Sequence, residues 1–314
     1  LGYMAYSGMP SRYPHWSFGK QYERQKTMYD YGVSGLPYEM VINSNPCLAY
    51  LMKDNSLLLQ VLTMAHVYGH NDFFANNSTF LSGLEAAESL KTFKGHANFI
   101  RNLSEDASVS SREIERVIDA AHSLSLHRST NLWIENSNKS LNYQNILQVI
   151  AEKSPNIQPW AKEVLKIIDT ESRYFIPQIE TKIMNEGWAS YWHYQIINAL
   201  DLPESMHLEF LVKHNQVIKP IPGQINPYHL GFNLFRHIKK KKNLAHGIQD
   251  DRLSFSERID TPGRKLLFEI REVDRDTSFI RRFLDQDIVT ELDMYQHEKR
   301  GQERVVTKTS DETN

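Results

Sequence analysis

With 314 residues, 40% of them hydrophobic and 24% charged, the chain can bury a core and is neither a disordered nor a low-complexity polymer. Thirty-six Lys and Arg stand against 38 Asp and Glu, a net charge of −2, which gives no general attraction to nucleic acid or to an anionic membrane. A single cysteine, Cys47, excludes an internal disulfide and fits a reducing cytoplasm; no apolar run approaches the roughly 20 residues of a membrane span. The first residue is Leu1 rather than methionine, which reads as a fragment, so the missing signal peptide says little about compartment.

Residues 1–17 are rich in Gly, Pro, Ser and aromatics and read as an irregular segment. Phe18 to Tyr31 suits a helix, and Tyr38 to Asn43 alternates as a short strand closed by a turn at Asn43-Ser-Asn-Pro46. From Asn55 and Ser56 an apolar run continues through Phe74, the pattern of a buried helix ending at Asn76-Asn77. Helices are expected over 83–104 and 110–126, the second with Ile114, Val117, Ile118 and Ala121 at core spacing. Asn131 to Asn145 is polar and reads as a loop; Ile146 to Glu152 suits a helix, and Pro159 opens another as a first-turn proline.

Ile176 to Ala199 reads as one long helix, and Pro203 starts the next, through Val212. The proline-rich stretch Pro220 to Pro227 is a rigid approach to a helix beginning at Tyr228. Lys239 to Lys242 reads as a solvated helix end rather than a nucleic-acid patch. Beyond Asp250, helices over Arg264 to Glu272 and Thr277 to Leu284 precede a hairpin of Ile288 to Tyr295 with Arg304 to Thr309. The expected fold is mainly α (α+β): a zincin-like helical core with short strands in residues 1–250 and a small C-terminal α+β appendage in 251–314.

Two distant segments carry the chemistry. His66 and His70 lie four residues apart on one helix, which stacks their imidazoles on one face, close enough to share an ion. An apolar helix has no packing reason to hold two imidazoles there, although core histidines satisfied by hydrogen bonds are the alternative. Glu186, in a run of aromatic and small residues, is the natural third ligand, with pairing to an arginine or capping of a neighbouring helix as the competing roles. Two histidines and a later glutamate are the ligand set of gluzincin metallohydrolases, with zinc the expected metal. In the usual His-Glu-x-x-His signature the glutamate is the general base; here that position is Val67.

Other groups take supporting roles. His193 and His229 are the candidate bases, and Tyr228 is a candidate donor to an oxyanion. Asp72 lies off the histidine face, roughly 200° around the helix from His70, and suits a supporting carboxylate. Asp119 and His122 read as an i,i+3 ion pair. Tyr68, Trp188 and Trp192 are expected beside the ligands, where they favour a working pocket.

Several strings together carry a family resemblance: Arg12-Tyr-Pro-His-Trp-Ser-Phe-Gly-Lys-Gln-Tyr-Glu23, Tyr38-Glu-Met-Val-Ile-Asn43, Ala65-His-Val-Tyr-Gly-His-Asn-Asp-Phe-Phe74, Asn185-Glu-Gly-Trp-Ala189 and Asn226-Pro-Tyr-His-Leu-Gly-Phe232. From about Gly8 to Thr309 the chain resembles the stage V sporulation protein R (SpoVR-like) family. The resemblance implies a cytoplasmic bacterial protein, associated in spore formers with the peptidoglycan cortex but present also where no spores form. It implies no catalytic residues, because the family's activity is not established, and it implies that an N-terminal segment usual in members is missing here. The Glu-Gly-Trp-Ala string also echoes some zinc peptidases.

Two functions are therefore expected side by side. One is a zinc-dependent hydrolase of an amide or peptide bond in a small-molecule or peptide-like substrate. The other is a non-catalytic regulator or scaffold that keeps a degenerate metallohydrolase fold and engages protein partners.

Overall fold

The structure, a computed structural model, describes residues 13, 15, 39–43, 46–53, 55–81, 86–126, 145–221, 223–249, 260–300 and 303–308. The helix expected over Phe18 to Tyr31, nearly all of the polar stretch 131–145 and the boundary near 250 lie outside these residues. The described part is mainly helical. In chain order it comprises β1 (Glu39–Ile42), β2 (Leu48–Leu51), α1 (Leu57–Asn76), α2 (Ser78–Leu81), α3 (Ala86–Glu105), α4 (Ser111–Leu124), α5 (Ile146–Lys153), α6 (Pro159–Glu180) and α7 (Lys182–Ala199). There follow α8 (Glu204–Val217), α9 (Pro227–Ala245), α10 (Pro262–Val273), α11 (Asp276–Phe283), α12 (Gln286–Glu291), β3 (Gln296–Arg300) and β4 (Glu303–Lys308). Two compact units divide the chain.

The first unit spans Leu1–Ser34, Tyr38–Met52 and Ser82–Ile179. The expected strand near 38–43 is β1, and its antiparallel partner β2 pairs Glu39 with Leu51 and Ile42 with Leu48. The Cys47 thiol donates to the Ile42 carbonyl at 3.2 Å, so the lone cysteine closes this hairpin. Ile114, Ile118 and Ala121, at i, i+4 and i+7 on α4, join Ile100, Leu147, Val164 and Ile168 in one apolar core. Asn145 caps α5 through the Leu147 amide and donates to Asp169 at 2.6 Å, tying the start of that helix to α6.

The second unit spans Gly35–Pro37, Lys53–Leu81 and Glu180–Asn314. Its centre is α7, where Met184 through Tyr191 are all buried; a helix buried on every side needs neighbours on every side. α1 and α9 provide them, and two glycine contacts explain how closely. A methyl added to Gly69 would lie 2.6 Å from the Ala189 Cα, and Gly187 of α7 meets the backbone of Gly231 of α9 directly. Trp188, Phe210, Phe232 and Phe235 fill the remaining space, each contributing about 2–3 kcal/mol by burial.

The described residues from Asp260 onward are grouped in this same unit. The Gly263 amide donates to Asn243 Oδ1 of α9 at 2.7 Å, and Asn77 donates to the carbonyls of Arg271 and Asp274. The hairpin is present, but Ile288 lies in α12, capped by Asp285, and the paired strands are the later β3 and β4. The lysine run is not uniformly solvated either: Lys239 is buried, and Lys241 pairs with Asp285 at 2.5 Å.

The single long helix expected over 176–199 is broken at Thr181, which leaves helical geometry at φ −124°. Pro177 inside α6 lacks an amide and crowds the carbonyl of Arg173, which weakens the helix just upstream. Beyond the break, Asp276 of α11 accepts from the amides of Ile183 and Met184 at 2.8 and 2.9 Å, capping α7 from 90 residues away in sequence. A sequence window around residue 181 contains no sign of that cap.

Candidate metal centre

The helix that presents the histidines begins where its sequence says it should. Ser56 caps α1 by accepting from the Leu59 amide, and the helix ends at Asn76. His66 and His70 sit one turn apart with ring centroids separated by 4.7 Å, edge to face. Because Gly69 admits the α7 backbone, Glu186 arrives opposite them. Its Oε2 lies 3.7 Å from Nε2 of both His66 and His70, and all three residues are essentially inaccessible to solvent. Ligands held about 2.1 Å from a tetrahedral ion stand about 3.4 Å apart; two of the three donor pairs lie at 3.7 Å and all three atoms within 4.8 Å of one another, a spacing an ion could draw together.

Hydrogen bonds orient both imidazoles. His70 Nδ1 lies 2.9 Å from Asn185 Oδ1; an amide oxygen only accepts, so Nδ1 carries a proton, and in the neutral ring Nε2 turns a lone pair to Glu186. His66 Nδ1 lies 2.9 Å from His193 Nδ1, and His193 Nε2 lies 2.7 Å from His214 Nδ1. Assigned from this network, His66 Nδ1–H donates to His193, whose Nε2–H donates to His214, and His66 Nε2 is also left as a lone pair. Burial first, then the neighbouring imidazoles of His66 and His214, hold His193 well below the ordinary histidine range. His214 is pushed down to about 4, again by burial first, then by the charge of Arg236. Both are therefore neutral near pH 7, as a ligand-orienting chain requires.

Glu186 is the electrostatic centre. Burial raises its carboxyl, while a proton shared with the facing ring of His66, then the charge of a protonated His70, draws it down, and the net shift is downward; with the rings neutral, that positive charge is what a bound cation would supply. Among the described residues neither of its oxygens takes a hydrogen bond, and no arginine partner is found for it. A buried carboxylate without donors is costly, which is the chemistry of a cation ligand.

The remaining candidates separate. Tyr228 stacks on His66 with centroids 6.0 Å apart; Asn226 fixes it there by capping α9 through the Tyr228 amide. His229 instead donates from Nδ1 to the Ile218 carbonyl at 2.8 Å and meets Asn233. His193 is fully buried with both nitrogens bonded to histidines, so its place is behind His66. Val67 is buried at the position of the usual base. Asp119 and His122 both reach beyond their own helix: Asp119 meets His15 at 3.3 Å and His122 meets the Tyr13 hydroxyl at 3.0 Å. Asn185 and His214 escaped the sequence reading. The stripe Phe210, His214, Val217, buried at i, i+4 and i+7, was the signal available for the second.

The aromatics expected beside the ligands gather on the other face of the same two helices. Tyr68, Gly69, Asp72, Trp192, Ile196 and Phe268 line a cleft of about 230 Å³, and the Arg264 guanidinium covers the Trp192 ring at 4.9 Å. Tyr68 follows His66 by two residues and Trp188 follows Glu186 by two, roughly 200° of rotation in each helix. Asp72 belongs to this face, where it accepts from Trp188 Nε1 at 2.8 Å and from Arg271 at 2.7 Å. A second acidic grouping, His237 with Asp285 and Asp287, is already served by the Lys241 ammonium.

A mainly helical unit with a buried, oriented His–His–Glu convergence defines a candidate metalloprotein core. The family model for SpoVR like protein matches residues 1–144 and 129–314, between them the whole chain, and the chain belongs to that family. It is also 33% identical over 344 aligned residues to Uncharacterized protein YcgB of Escherichia coli (strain K12), covering 92% of this chain and 66% of that protein, so it spans slightly less than two thirds of the relative's length. No solved structure matches. Among the described residues no helix is long and apolar enough to cross a membrane.

Proposed function

We propose that this SpoVR-like chain holds one zinc-like divalent ion on His66, His70 and Glu186 and uses it to hydrolyse an amide or peptide bond. Peptidoglycan precursors, as in spore cortex formation, are the substrate class, and the cytoplasm is the compartment. The observation that supports this is the 3.7 Å approach of both imidazoles to one buried carboxylate that takes no hydrogen bond among the described residues. An ion bound there would polarise a carbonyl and acidify a water.

The chain's own residues divide the remaining work. Asn185 and His193 fix the two imidazoles, and His214 holds His193. Tyr228, against His66, is the group placed to donate to a substrate oxygen. His193 would act through His66 rather than on substrate, and His229 would have to leave its bond to Ile218 to serve as a base.

A second reading is a non-catalytic regulator or scaffold built around a structural ion. Buried Val67 and the engagement of His193 favour it. Metal analysis of the purified protein tests the shared premise: about one ion per chain is expected, and a metal-free protein that refuses zinc would remove it. Val67→Glu separates the two readings, since restoring the usual base on α1 should create or raise amidase activity only in a hydrolytic architecture.

A further inference from the structure

We propose that Ser190 hydrogen-bonds the exchangeable ligand of the ion, a carboxylate or carbonyl oxygen; this rests on the metal reading above. Ser190 is fully buried, and among the described residues its hydroxyl has no hydrogen-bond partner. A serine in mid-helix ordinarily donates back to the carbonyl four residues earlier, here that of Glu186, and this one does not. The fold thus carries the cost of an unsatisfied buried hydroxyl at this position.

The helix fixes what it faces. Glu186, Ser190 and His193 fall at i, i+4 and i+7 of α7, one stripe. Glu186 faces both imidazoles, His193 bonds to His66, and Ala189 packs on Gly69. Ser190 lies between these contacts on the same stripe, which puts the residue on the level of the histidine pair. Side chains four apart are about 6 Å apart at Cβ. From a Glu186 oxygen, an ion and then its exchangeable ligand would follow at about 2 Å each, with one hydrogen bond closing to a neighbouring hydroxyl. Three protein ligands leave a tetrahedral ion one open position, and on this stripe of α7 both carboxylate oxygens and the serine hydroxyl are without a hydrogen bond among the described residues. A cation answers the first two, and an acceptor bound to it answers the third.

The test compares wild type with Ser190→Ala. Each is first melted without metal, then loaded with Co(II) and titrated with acetate while the visible bands are followed. The variant should melt no lower than wild type without metal, take up Co(II) at the same stoichiometry, and bind acetate about tenfold more weakly. A lower metal-free melting temperature would mean the hydroxyl is bonded within the protein, and equal acetate affinity would mean it never touches the ligand; either overturns the role of Ser190 while leaving the metal site standing. A wild type that takes up no Co(II) overturns both.

Discussion

Asp72 and Glu186 are two carboxylates on the same pair of packed helices, and they differ in what answers their charge. Asp72 looks outward from α1 and is served by Arg271, by the Trp188 indole and, at 3.3 Å, by Asn76. Glu186 looks inward from α7 at two imidazoles, with no hydrogen bond among the described residues. Asp72 is a joint that clamps α1, α7 and α10 together. Glu186 has neighbours that are themselves oriented, by Asn185 and His193, to present lone pairs rather than protons. A carboxylate with donors is explained by the fold; one that faces two imidazoles without a hydrogen bond is what the proposed cation would answer.

The largest effect expected from breaking this contrast is on the inward face. Glu186→Ala or His66→Ala should lower metal affinity by more than about a hundredfold, since even the groups behind a ligand are worth 10- to 100-fold. Metal content after dialysis reads it, and full occupancy in either variant would place the ion elsewhere.

Acid should act next. His214 titrates near 4 when folded and near 6.5 when unfolded, so between those values the unfolded chain binds the extra proton. This contribution is intact above pH 6.5 and is lost progressively as pH falls towards 4, amounting to about 3 kcal/mol. Denaturant melts across that range should show the slope, and His214→Asn should reduce it, leaving the part that His193 contributes.

On the outward face, Arg271→Ala removes the partner of a half-exposed carboxylate and should cost about 2 kcal/mol, less than for a fully buried pair. Metal content should not change. If the ion were lost as well, the two faces would be one cooperative site and the contrast would fail. The smallest effect is Asn185→Ala, which frees the His70 ring and should weaken metal binding about tenfold with little change in melting temperature.

Much of this was legible in the sequence because it is local. The cap at Ser56, the apolar run to Phe74, the first-turn proline at 159 and the i,i+4 histidines each follow from rotation and rise along one helix. The pairing of the histidines with Glu186 was legible as chemistry, through the cost of burying such groups alone. What the sequence could not carry was any partner from far along the chain. The break at Thr181 depends on Asp276, and the role of Asp72 depends on Arg271. The aromatics Tyr68 and Trp188 sit beside the ligands in sequence and on the opposite face in space, because two residues turn a helix roughly 200°. Local spacing determined which side chains share a face; only the glycine-mediated approach of α1, α7 and α9 decided which faces meet, since close packing is set by the whole set of neighbours and not by any one segment.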